Sequence, residues 1–273
     1  MDDITKVIIG MHRLKNTLAT KSVDSGYSEA DIDFLAKKYA EQNSAYYFDL
    51  LTYLEHKEPD LTNAQKNVLD ANKTITGAVT VRPVGVDGWQ WWLKLLDFWK
   101  ADTISGNKKL IIPIKLNPYQ PKENHFAVLG FDFDEKNSTV KIYFLEQHAM
   151  HPGEKGYDKN TDYSDMINDY VFKALTPFFQ LRLGYKNVEF YSNNKPITRK
   201  KHVCGVVATE MARQLLTTDD WSNFVNQSPV LTDEQIDKIH QRNKYYATSE
   251  TAENTTHKKR VDPLILHNQT VRK

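Results

Sequence analysis

The sequence predicts an α+β chain, and three observations carry that expectation. Helical spacing of apolar residues dominates roughly the first 70 residues. Strand-like runs rich in β-branched residues then occupy much of the stretch from Ala78 to Glu146. A second helical pattern opens at Cys204, the single cysteine among 273 residues.

The elements follow in order. Ile4, Val7, Ile8, Met11 and Leu14 mark one helical face. Ser28-Glu-Ala-Asp31 is a capping signal ahead of Ile32, Leu35, Ala36 and Tyr39. Tyr47, Leu50, Leu51 and Leu54 continue the helical spacing until Pro59, and a short helix is expected over 64–71. After Lys73 the texture changes. Ala78–Val86 reads as strand punctuated by Pro83 and Gly85, and Gly88–Trp99 as an aromatic helix whose tryptophans are mostly core. Strands are expected at Leu110–Leu116, His125–Phe133, Thr139–Glu146 and Val188–Ser192. Helices are expected at Met166–Leu183, with a break at Pro177, at Cys204–Leu216 and at Asp233–Tyr245. The stretch from Thr248 to Lys273 is polar, basic and without period, as in a flexible tail.

Composition narrows the function classes. Lys and Arg number 36 against 35 Asp and Glu, so no global field draws the chain to nucleic acid or an anionic membrane. No apolar run approaches membrane-spanning length. One cysteine excludes an intramolecular disulfide and a multi-cysteine zinc module, and suits a reducing compartment. The opening MDDITKVIIGMHRLKN lacks the charge order and apolar length of a Sec signal peptide.

Residues 125–146 read as a hairpin around Asp134–Asn137. If its loop is symmetric, paired residue numbers sum to 271, which sets His125 opposite Glu146. Cross-strand partners share a face with Cβ atoms ~4.5–5.5 Å apart. A carboxylate there fixes the imidazole tautomer and stabilises the imidazolium. Cys204 begins an amphipathic helix marked by Val207, Ala208, Met211, Ala212 and Leu215. A helix N-terminus favours an anionic sulfur, and Arg199, Lys200, Lys201 and His202 push the same way. Gly205 allows a close approach by another segment or a substrate. Thiol, imidazole and carboxylate are the parts of a cysteine nucleophile system. Each has a plainer reading alone: a core thiol, a half-buried strand histidine, a solvated strand end and a solvated basic loop. Glu146-Gln-His148-Ala-Met-His151 gathers an acid and two histidines, but it follows a strand, so it reads as loop histidines with no metal.

His125-Phe-Ala-Val, Phe144-Leu-Glu146 and Val203-Cys-Gly-Val-Val-Ala208 together resemble clan CE. That clan holds ubiquitin-like-protein proteases, bacterial effector deubiquitinases and YopJ-type acetyltransferases. The resemblance spans roughly residues 78–217 and is diffuse outside these motifs. It implies a papain-like fold, a mixed sheet flanked by helices, with Cys204 as nucleophile, His125 as general base and Glu146 as its orienter. It divides the chain into a helical accessory region over 1–73, a cysteine-peptidase-like domain over 74–247 and the tail over 248–273. Trp89, Trp91 and Trp92 are then candidates for a narrow substrate channel. Many clan members carry Gln about six residues before the cysteine as an oxyanion donor, whereas here Thr198 stands there. The donors left are the Cys204 backbone N–H with Thr198, Asn193 or Asn194. The activity implied is a cysteine isopeptidase acting on conjugates of ubiquitin or a relative, without a cofactor. Two alternatives stay open: an acetyltransferase loading acetyl from coenzyme A on the same cysteine, and an inactive module that binds a ubiquitin-like partner. Abundant Lys, Asn and Thr, together with the resemblance, fit a bacterial effector acting in host cytosol.

Overall fold

β-Branched and aromatic runs become the strands of one mixed sheet, and the helical patterns cover its faces. The computed structural model describes residues 16–48, 78–81, 84–85, 109–116, 125–148, 173–227 and 229–249. The strands are β1 (Tyr46–Phe48), β2 (Ala78–Val81), β3 (Val84–Gly85), β4 (Lys109–Leu116), β5 (His125–Asp134), β6 (Thr139–Leu145) and β7 (Asn187–Ser192). They form a seven-stranded sheet in the order β1-β2-β4-β5-β6-β7, with β3 also on β4. The β4–β5 and β5–β6 pairs are antiparallel and the others parallel. Pro113, with no N–H to give, lies on β4 between its pairings with β2 and β3. The helices are α1 (Glu29–Gln42), α2 (Lys173–Pro177), α3 (Cys204–Thr217), α4 (Trp221–Asn226) and α5 (233–249).

The two faces of β5 have different covers. Phe126 and Val128 join the core built with α1, α3, α4 and α5. Phe131 and Phe133 stack on each other and meet Phe179 and Tyr185 at tilted angles on the other face. With both faces covered, β5 reads as a continuous apolar run rather than an alternating one. Gly130 leaves room for Trp221: a Cβ there would lie 3.0 Å from the indole. The expected break at Pro177 is a switch from α2 to a π turn over Phe178–Arg182.

Several expectations need correction. The hairpin turn lies one residue later than a turn centred on Asp134–Asn137. Pairs run from Asp134↔Thr139 to Val128↔Leu145, so their numbers sum to 273 rather than 271. Asp134 accepts from the Asn137 N–H at 3.1 Å, and Ser138 takes a left-handed φ of 52°, which shifts the four-residue loop to 135–138. A shift of two residues leaves every side chain on its face. His125 and Glu146 therefore become diagonal neighbours instead of direct partners. Tyr47, expected on a helix, lies in β1, where its aromatic neighbours suit an edge strand. Helix α5 runs on to residue 249 instead of ending at Tyr245. Helix α4, capped by Asp220, had no counterpart in the expected elements. The expected helices at 4–14, 50–54, 64–71 and 88–99 lie outside the described residues, as does 250–273.

The described part of the 1–73 region is built into the common core. Leu18, Tyr27, Ile32, Leu35 and Tyr39 share one cluster with Met211 and Leu215 of α3. The capping box forms as expected, with the Asp31 carboxylate accepting from the Ser28 N–H at 2.7 Å and Ser28 Oγ accepting from Asp31 N–H at 3.3 Å. Asp31 also takes Lys21 Nζ at 2.7 Å and the Thr17 N–H at 2.6 Å. Burial alone would raise its pKa, but these donors hold the carboxyl below its ordinary range.

A polar network fastens α3 between α1 and α5. Buried Glu210 accepts from Arg213 and from Arg242 at 2.6 Å. Arg242 donates to Tyr39 Oη, Tyr39 bonds to Asn243, and Asn243 donates to Tyr27 Oη. The close approach that Gly205 permits is made by Tyr27: a Cβ on Gly205 would lie 2.5 Å from Tyr27 Cβ. Gly→Ala inside a helix ordinarily gains about 1 kcal/mol. Here Gly205→Ala is expected to lose about 1–3 kcal/mol through overpacking. Urea denaturation reads the sign directly.

Candidate active site

Cys204 is the first residue of α3 and is partly exposed. The chain reaches it through a turn at Lys201–His202, where His202 holds a left-handed φ of 61°. That reversal drops Val203 into the core and leaves Cys204 at the helix mouth. Val203 occupies the cap position and makes no side-chain capping bond.

His125 opens β5 with only 7% of its surface exposed, and Glu146 follows β6 with 1% exposed. The imidazole Nε2 lies 2.6 Å from Glu146 Oε1. The ring is also hydrogen-bonded to the Cys204 side chain. The structure thus joins the three residues picked out in the sequence. Burial would lower the His125 pKa. The hydrogen bonds to Cys204 and then Glu146, together with the charges of those groups, override it and push the ring up to about 10.

The buried carboxylate is held at every point. Its Oε2 accepts the His148 main-chain N–H at 2.7 Å. Asn193 grips the Glu146 backbone from both sides, its Oδ1 accepting Glu146 N–H at 3.0 Å and its Nδ2 donating to Glu146 O at 2.8 Å. The His148 ring stacks on His125 with centroids 5.9 Å apart at 15°. The register explains the stack, because residue 148 continues the β5–β6 pairing opposite residue 125.

The expected oxyanion donors fall differently. Asn193 is buried, and its amide nitrogen donates to the carbonyls of Glu146 and Lys195 at 2.8 and 3.0 Å. Both amide hydrogens are thereby used, and Asn193 serves the carboxylate instead. Thr198 is buried with Oγ1 accepting the Lys200 N–H at 3.3 Å. Asn194 is exposed. Trp89, Trp91, Trp92 and His151 lie outside the described residues. Two contributors had no sequence signal. The Asn193 clamp and a bond from Gln147 Nε2 to Lys200 O at 2.5 Å link residues 47 and 53 positions apart. Among the described residues no group of three or more His, Cys, Asp or Glu side chains could hold a metal, and no helix is long and apolar enough to cross a membrane.

No family model and no curated protein match the chain by sequence. Solved structures do resemble it. The effector RavZ of Legionella pneumophila is 12% identical with a TM-score of 0.49, over 81% of this chain and 64% of that one. The Rickettsia bellii effector RickCE is 14% identical at 0.42, over 84% and 95%. A de-sumoylating protease is 11% identical at 0.40, over 92% and 87%. The chain thus spans less than two thirds of RavZ's length. These are likenesses of layout.

The His125 pairing has a measurable signature. Its raised pKa contributes stability that is fully present below the unfolded value of roughly 6.5 and is lost as pH rises through about 10. Ring NMR should show an imidazolium throughout neutral pH. In Glu146→Gln the midpoint should fall toward the ordinary histidine value, and the alkaline loss of stability should be smaller and complete at lower pH. An unchanged midpoint would mean that the carboxylate does not support the imidazolium.

Proposed function

We propose that the chain is a cysteine isopeptidase acting on conjugates of ubiquitin or a ubiquitin-like protein. The observation that carries this reading is the unbroken hydrogen-bonded line Glu146–His125–Cys204, with its acid end buried and its sulfur end at a helix mouth. In the proposed cycle Cys204 is the nucleophile, His125 the proton carrier and Glu146 the group that holds the ring.

The thiolate of Cys204 attacks the carbonyl carbon of the bond to the modified amine. The C–N bond breaks, His125 delivers its proton to the leaving amine, and a thioester remains on Cys204. Water then attacks the thioester carbonyl, and His125 takes a proton from it. The C–S bond breaks, releasing a carboxylic acid terminus that ionises, and thiolate and imidazolium are restored. With the Asn193 hydrogens engaged, the oxyanion is assigned to first-turn N–H groups of α3, Cys204 included, whose cap position carries no competing oxygen.

The substrate class rests on the motif resemblance to clan CE, as does the role as a bacterial effector acting in host cytosol. Trp89, Trp91 and Trp92 remain the proposed channel for the modifier's tail.

The test is covalent capture read by intact mass. Wild type and Cys204→Ala are incubated with electrophilic probes built on ubiquitin, SUMO and other modifiers, and separately with labelled acetyl-coenzyme A. A probe adduct is expected on wild type and none on Cys204→Ala, whose thermal midpoint should barely move. His125→Ala should slow capture by roughly 10²–10⁴-fold. Acetyl loading in place of probe capture would move the assignment to acyl transfer. No adduct of either kind on a folded sample would reduce the chain to a binding module.

A further inference from the structure

The Cys204 loop is tied to the residue that follows the site's carboxylate. Gln147 is 1% exposed, and a buried amide of this kind has to be hydrogen-bonded. Its main-chain carbonyl accepts the Ile197 N–H at 2.8 Å, and its side-chain Nε2 donates to the Lys200 carbonyl at 2.5 Å. One residue thus grips the loop at two points three residues apart. The loop continues from Lys200 through the left-handed His202 to Val203 and Cys204. On its far side the same loop is held by the segment leading into α5 and by α5 itself. Leu231 N–H donates to the Ile197 carbonyl at 2.7 Å, and Lys200 Nζ meets Asp237 at 2.6 Å.

Glu146 and Gln147 are consecutive residues with separate tasks. Glu146 faces His125. Gln147 faces the loop that carries the sulfur. One dipeptide thus touches both the ring and the loop that carries the sulfur. Without its amide, Gln147 keeps its hold on Ile197 and loses its hold on Lys200, the nearer of the two to Cys204.

We propose that Gln147 is a positioning residue that sets the Cys204 sulfur against His125 by holding the Lys200 carbonyl. This rests on the reading of Cys204, His125 and Glu146 as the reactive centre. The competing account is that Gln147 only fills buried space.

The test uses the full chain and two readouts independent of any protein substrate. Cys204 is the single cysteine, so alkylation by iodoacetamide, followed by intact mass, reports on it alone. Ring NMR gives the His125 titration midpoint. Gln147→Met keeps length and volume and removes the amide. Gln147→Asn keeps an amide too short to reach. Both are expected to slow alkylation roughly tenfold or more and to lower the His125 midpoint, because the ring loses its bond to the thiol. Lost packing alone would lower the thermal midpoint and leave the His125 titration in place. Wild-type alkylation rate and His125 midpoint retained in folded Gln147→Met overturn the proposal and leave the reactive-centre reading standing. If neither variant melts cooperatively, the wild-type Gln147 side-chain amide decides, with slow hydrogen exchange supporting the bond to Lys200 and fast exchange overturning it. Wild-type Cys204 no more reactive than in the urea-unfolded chain overturns the reactive-centre reading and this proposal with it.

Discussion

The buried contact between His125 and Glu146 is the constraint around which the rest of the structure is arranged. Taking a carboxylate out of water costs several kcal/mol. A partner cation offsets that cost only when the remaining lone pairs are satisfied as well. Here one oxygen meets the imidazole, the other takes the His148 N–H, and Asn193 fixes the backbone that carries the group. Each of these partners stands where a strand ends. Glu146 and His148 follow β6, Asn193 follows β7, and His125 begins β5. Register in the sheet is therefore a condition for the site, and a slip of one residue would turn His125 to the opposite face.

The second condition is the placement of α3. A sulfur at a helix mouth is useful only if the mouth points at the ring. Tyr27 packed on Gly205 holds the helix's first turn against the N-terminal segment. The Glu210–Arg242–Tyr39–Asn243–Tyr27 network holds its second and third turns between α1 and α5. A residue of the expected accessory region thus packs against the residue that follows the cysteine. The described part of that region is a structural neighbour of the site.

Much of this architecture could be read from the chain itself. The strands from Lys109 onward and the helices α3 and α5 followed from apolar period, and the α1 cap from Ser28–Asp31. His125, Glu146 and Cys204 were legible because their chemistry is rare in combination and each stands at the edge of a strong periodic segment. Loop symmetry alone places the hairpin register two residues off, and His125 and Glu146 still share a face because side chains alternate with period two. Ser138 in the left-handed region moved the turn, and serine carries no strong signal for that conformation.

What the sequence determined alone was local: where apolar period favours helix or strand, where a cap starts α1, and which three residues could share proton and sulfur chemistry. Only the tertiary structure decided the rest. It assigned Asn193 to the carboxylate, gave Gln147 the cysteine loop, stacked His148 on His125 and set Tyr27 against Gly205. Apart from the stack, which extends the hairpin register, these contacts join residues dozens to well over a hundred positions apart. Their hydrogen bonds and packing form because a folded interior leaves few polar groups unpaired and little space unfilled. A condition of that kind acts on the whole assembled core, and no short stretch of sequence records it.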